Sequence, residues 1–130
     1  MHSLQFKKTT ASKDDECFMV AFGDAVDGSE SYVILQVAKE FDEQDCKLGM
    51  GGIYFEINDQ AHSGYNVVDR IEVAEQVITI EFSTQPMGLS DDQSPIRILT
   101  LVAQKTMAEV CDMLKLIATN SNVNFIENNS

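Results

Sequence analysis

Apolar and polar residues alternate over much of the first hundred positions, and a helical spacing replaces that alternation near the C-terminus. ECFMVAFGD (16–24) puts Phe18, Val20 and Phe22 on one face and Cys17, Met19 and Ala21 on the other, which predicts a strand. DAVDGSES follows with turn chemistry centred on Asp27-Gly28. YVILQVAKE (32–40) is apolar on both sides through Val37, the pattern of a central strand covered above and below, paired with the first. FDEQDCKLGMG (41–51) is polar and suits a single helical turn ended by its glycines. GIYFEIN (52–58) alternates again, Ile53, Phe55 and Ile57 against Tyr54, Glu56 and Asn58. NVVDRIEVA (66–74) and QVITIEFS (76–83) form the arms of a hairpin closing near Ala74-Glu75-Gln76. A loop bracketed by Pro86 and Pro95 precedes a last β-branched strand, IRILTLVA (96–103).

The period then changes. Met107, Val110, Cys111, Leu114, Ile117 and Ala118 recur at helical spacing and make one apolar stripe. Thr106-Met-Ala-Glu109 has capping-box spacing at the start of that helix, and Asn120 suits a C-terminal cap. Met107, Cys111 and Met113 together resemble a soft-metal set, but Met113 lies off the stripe and all three suit packing. The expected fold is α+β: a mostly antiparallel sheet of about five or six strands with one C-terminal helix packed on it. The expected layout is one domain over residues 1–130. It comprises an N-terminal arm (1–15), a sheet region (16–103), a helix (104–119) and a tail (120–130) that is either a short edge strand or frayed.

Composition narrows the function classes. A 130-residue chain with 44% apolar residues is long enough for a core without disulfide or metal staples. Cys17, Cys46 and Cys111 are odd in number and form no C-x-x-C pair, as expected of free thiols in a reducing compartment. The short, polar, basic start lacks the apolar core of a secretory signal, and no apolar run approaches membrane-helix length. A cytoplasmic protein without a membrane partner is the expectation. The net charge of −12 argues against nucleic acid as a partner, because phosphate contacts need Lys and Arg. The charge is also uneven. Residues 1–13 carry three Lys and no acid, whereas residues 14–45 carry ten acids against Lys39. That acidic segment is either a solvated surface or a face that steers a basic partner.

No constellation carries catalysis. Asp59, His62 and Ser63 are too close in sequence for a triad, and no G-x-S-x-G elbow exposes the serine. His2 and His62 are the only histidines, and Asp24–Glu30 lacks the ligand spacing of a calcium loop. No phosphate loop is present, since Gly49, Gly51 and Gly52 precede a strand. The expectation is a protein that is not an enzyme and uses no metal or cofactor. One polar stretch remains, Asn58 to Tyr65. It is either a turn, shaped by Asp59, Ser63 and a positive-φ Gly64, or a binding rim in which Tyr65 is an anchor.

The run Leu48-Gly-Met-Gly-Gly-Ile-Tyr54-Phe-Glu56-Ile-Asn-Asp59-Gln60-Ala-His-Ser63-Gly64-Tyr65, with a following hairpin that ends ITIEF, resembles the immunity protein 10 family. These are small bacterial proteins paired with polymorphic toxins. The family pattern has an acidic lead-in, matched here by Glu43-Gln44-Asp45, then G-x-Y-x-E-x-x-D-Q-x-x-S-G-Y and two strands. Residues 32–83 carry the likeness. The family often has Gly-Gly after the tyrosine, where this chain has Asn66-Val67. The resemblance implies a non-catalytic inhibitor that occludes a cognate toxin domain, with a basic nuclease as a suitable partner for so acidic a chain. The alternative is a small-ligand or scaffold module. For toxin binding, Asp24, Asp27, Glu30, Asp42, Glu43 and Asp45 are the acidic candidates, and Gln60, His62 and Tyr65 the contact candidates. Asp59, Ser63 and Gly64 are assigned to shaping the turn.

Overall fold

A computed structural model describes residues 2–13, 17–26, 28, 30–38, 52–83, 95–121 and 123–128. Among these residues nine strands and one helix follow in the order β1 (His2–Lys13), β2 (Cys17–Ala25), β3 (Val33–Ala38), β4 (Tyr54–Ile57), β5 (Asp59–Tyr65), β6 (Val68–Ala74), β7 (Val77–Phe82), β8 (Ile96–Thr100), α1 (Gln104–Ser121) and β9 (Asn124–Asn128). They form a single sheet in the spatial order β5-β4-β3-β2-β1-β8-β7-β6-β9. Most pairs are antiparallel, as expected, but β1 runs parallel to β8 and β6 parallel to β9. The class is α+β with a C-terminal helix on a sheet. The sheet is mixed, and its described strands number nine where five or six were expected, because three further segments are strands.

The first is the expected N-terminal arm. Residues 6–13 pair with β2 and residues 2–6 with β8, so β1 lies at the middle of the sheet. Its polar look has a geometric cause. Leu4 and Phe6 pack toward the core, then Thr9 and Ala11 do, so the inward phase slips by one residue between them. Lys7 and Lys8 at the slip are both exposed. β2 slips at the same level: Val20 and Phe22 are buried, then Ala25, and Asp24 between them takes a left-handed φ of 56°. Strict alternation, on which reading a strand depends, is broken on both strands at once.

The sheet does not lie flat. Only Asn66 and Val67 connect β5 to β6, yet these strands stand first and eighth in the order. Three Cα steps span at most about 11 Å. Seven strand spacings in a flat sheet would separate them by about 33 Å. The sheet therefore rolls up, and the Phe55 ring of β4 meets the Phe82 ring of β7 edge-on, with centroids 4.9 Å apart. The rolled inner face holds the core. Across it one row runs Ala11–Val20–Leu35–Phe55–Gly64 from β1 to β5. Ile71, Val73, Ile78, Ile80, Ile96 and Ile98 line the other half.

Helix α1 lies on this inner face, against β1, β2, β3, β6 and β9. The expected stripe is the buried one, with Met107, Val110, Leu114, Ile117 and Ala118 inside and Cys111 half-buried. Each fully buried Leu or Ile there contributes about 1.5–3 kcal/mol of hydrophobic stabilisation. The helix begins two residues before Thr106, which places the capping-box residues within its first turns; the first bond runs from the Met107 N–H to the Ala103 carbonyl. Asn120 stays in the helix and donates to the Ala38 carbonyl at 2.6 Å, tying α1 to β3. The expected tail supplies the edge strand β9, held beside β6 partly by an Asn128 to Glu72 hydrogen bond of 2.7 Å. The expected helical turn at 41–51 and the proline-bracketed loop interior (84–94) lie outside the described residues.

Candidate functional site

The outer face of the sheet has two unlike halves. Over β6–β8 it is a charged, wet surface, where Arg70 pairs with Glu72 at 3.4 Å and Glu81 at 3.2 Å and Arg97 is exposed. Over β2–β5 the register builds two cross-strand rows, Ser12–Met19–Gln36–Tyr54–Tyr65 and Thr10–Ala21–Ile34–Glu56–Ser63. These rows are aromatic, aliphatic or uncharged apart from Glu56. Ile34 is only half-buried, so β3 is not covered on both sides as its sequence suggested. Among the described residues no helix or strand packs on this half.

Tyrosines and one carboxylate organise its β3–β5 end. Tyr32 donates its hydroxyl to one Glu56 oxygen and Tyr54 donates to the other. Glu56 is 7% exposed. The Tyr54 and Tyr65 rings are cross-strand partners with centroids 4.9 Å apart, tilted by 49°. Burial, then the Glu56 hydrogen bond, pushes the Tyr54 hydroxyl above its ordinary pKa, while Ser63 pulls it back. Tyr65 stays 42% exposed. Beside this cluster Ala21 and Gly23 are too small to fill the surface, leaving a groove of about 350 Å³ flanked by Tyr32, Ile34 and Lys8.

This geometry accounts for the polar signature of the sequence. Tyr54 and Glu56 point outward because they alternate with the inward Phe55, and their partners across β5 are Tyr65 and Ser63. The stretch Asp59–Tyr65 is a strand, not the expected turn. The reversal is made instead at Asn58, which takes a φ of 64° and exchanges hydrogen bonds with Tyr32 through its side chain and backbone. Pairing resumes at Ser63 after a register shift, so Gln60, Ala61 and His62 sit in a bulge. Gly64 has no left-handed φ; it is small because a Cβ there would lie 2.9 Å from Val67 Cγ1.

The left-handed positions fall elsewhere. Gly52 has a φ of 125°, and a Cβ on it would lie 1.7 Å from Asn66 Oδ1. Asn66 takes a φ of 59° and donates its N–H to the Ile53 carbonyl at 3.1 Å. Asparagine tolerates that conformation better than most residues, so Asn66 turns the chain as a glycine would. Gly52→Ala is accordingly expected to cost about 2–3 kcal/mol. Urea denaturation checks this, and a loss below about 0.5 kcal/mol would mean the backbone there relaxes freely.

The structure separates the sequence candidates. Tyr65 and Ser63 share the outer face; His62 is half-buried within the bulge, and Gln60 lies there too. Asp24 and Glu30 are exposed at the β2–β3 end, while Asp27, Asp42, Glu43 and Asp45 lie outside the described residues. Sequence reading did not single out Tyr32, Tyr54 or Glu56 as site residues. Their signal was present in the Y-x-E spacing and the S-G-Y echo, but the pairing of the two needs the register. A second concavity, about 620 Å³, opens between α1 and the β6–β7 turn near Met107, Cys111, Glu75 and Glu127. Burial first, then Glu127 and Asp112, pushes the Cys111 thiol above its ordinary pKa. Among the described residues no group of three His, Cys, Asp or Glu side chains is arranged to hold a metal ion.

A comparison with protein families matches residues 5–107 to the family described as Immunity protein 10, a span from β1 through β8 into the first turn of α1. No curated protein matches the chain.

Proposed function

The chain belongs to the immunity protein 10 family, and we propose on that premise that it binds a cognate bacterial toxin domain and neutralises it by stoichiometric occlusion. The family match over residues 5–107 carries this reading. The tyrosine face of β2–β5, on which no described helix or strand packs, supports it, since exposed aromatic surface is the kind that protein interfaces use. Inhibition by occlusion needs no catalytic group, metal or cofactor, and it operates in the cytoplasm, where a toxin would harm its own producer. Co-expression tests it. Cells making the toxin domain encoded beside this gene survive only when this protein is also made, and an equimolar complex forms in solution. Failure of both removes the proposal.

The toxin we favour is a basic one, such as a nuclease whose site must attract phosphates. The support is the net charge of −12 and the concentration of acids in residues 14–45. Opposite charge speeds encounter and leaves a signature in salt. The association rate is expected to fall by roughly tenfold or more between 20 mM and 500 mM NaCl, with a smaller change in dissociation. Stopped-flow mixing measures both, and a salt-independent association rate rules out steering. The second reading, a small-ligand or scaffold module, draws on the cleft beside α1.

A further inference from the structure

Glu56 is the unusual group on the tyrosine face. Its carboxylate is 7% exposed, its two oxygens accept from Tyr32 and Tyr54, and among the described residues no cation pairs with it. Neutral hydroxyls satisfy its hydrogen bonding but leave its charge uncompensated, and a buried charge is held at a cost unless a counter-charge comes close. The described cation on this half of the outer face is Lys8 on β1, three strands from β4. Lys8 is exposed and lines the groove beside Tyr32, and among the described residues no ion pair joins it to Glu56.

The rings beside Glu56 present a second cation-attracting feature. Tyr65 is 42% exposed and its ring leans on Tyr54. Aromatic faces carry the negative part of a quadrupole, and a cation over one is attracted to it. Tyr54 and Glu56 are two residues apart on β4, about 7 Å, so ring face and carboxylate act on one small volume. Arginine fits better than lysine: its planar guanidinium stacks on a ring, sheds water more readily, and keeps its edge N–H groups free for polar neighbours.

Resting on the toxin-binding reading, we infer that the Tyr54–Tyr65 pair with Glu56 beside it is the seat for an arginine side chain of the toxin. The guanidinium lies on the exposed Tyr65 ring and supplies the positive charge that Glu56 lacks. A buried aromatic–arginine anchor of this kind is where interfaces concentrate their binding energy. The aliphatic groove along Ala21, Ile34 and Tyr32 then takes the apolar surface around that arginine.

The test uses the full chain and the toxin domain encoded beside its gene, with affinity by calorimetry and folding by thermal melts. Tyr65→Ala is expected to weaken binding at least thirtyfold while melting near the wild-type temperature, because the ring is largely outside the core. Tyr65→Phe, which keeps the ring face, is expected to bind within threefold of wild type. Glu56→Gln, which keeps the shape and removes the charge, is expected to lose at least tenfold. Replacing each toxin arginine by alanine must then reveal one whose effect vanishes in the Tyr65→Ala background. Wild-type binding with Tyr65→Ala unchanged, or with no arginine coupled to Tyr65, overturns the seat and leaves the inhibitor reading standing. A wild-type protein that does not bind the toxin domain overturns both.

Discussion

Deleting residues 1–13 is expected to abolish folding. The segment looks dispensable in sequence, being polar, basic and terminal. In the fold it is the fifth of nine strands, paired along residues 6–13 to β2 and along residues 2–6 to β8. Without it the sheet divides into a β2–β5 half and a β6–β9 half, each with a new unpaired edge. Phe6 is fully buried, and losing its side chain alone costs about 3–5 kcal/mol. Thr9 and Thr100, both buried, hydrogen-bond through their hydroxyls, so the deletion also orphans Thr100. A small domain has about 5–15 kcal/mol in all, and these losses together exceed its lower range. Circular dichroism of the truncated chain should show no cooperative melt. A melting curve matching the full chain would return residues 1–13 to the status of an arm.

Phe55→Ala is the second large effect. Phe55 is fully buried in the inner row and meets Phe82 across the roll, so it joins strands at opposite ends of the sheet order. Removing it leaves a large cavity at about 3–5 kcal/mol, of which the aromatic contact accounts for about 0.5–1.5 kcal/mol. The urea midpoint should fall accordingly. A double-mutant cycle with Phe82→Ala should return a coupling of about 1 kcal/mol. Zero coupling would mean that the rolled sheet is held by the core in general, not by this contact. Tyr65→Ala provides the contrast: it should leave stability almost unchanged while weakening toxin binding at least thirtyfold.

How much of this was legible varies by element. β2, β3, β4, β6, β7 and β8 were readable because each holds its phase over a run of at least four residues, with apolar, mostly β-branched or aromatic, residues at the inward positions of that run. The helix stripe was readable for the same reason at the other period. β1 was missed because Lys7-Lys8 and Asp24 shift the phase of two neighbouring strands together. β5 was missed because its inward position facing Phe55 is Gly64, with Val67 filling the space that a side chain would take. The site was half legible. Tyr65 stood out as an anchor, whereas Tyr32 and Glu56 are brought together from residues 24 positions apart.

The sequence by itself determined the α+β class, the six strands that carry an alternating or apolar run, the apolar face of the helix and, through Y-x-E and S-G-Y, the family. Each rests on interactions between neighbours in the chain or on a period that one strand or helix carries alone. Tertiary structure decided the place of β1, the rolling of the sheet and the gathering of three tyrosines around Glu56. A strand in mid-sheet is held by backbone bonds to both neighbours, which any side chain permits. Which outward residues stand together is a property of register, fixed only when separate strands pair.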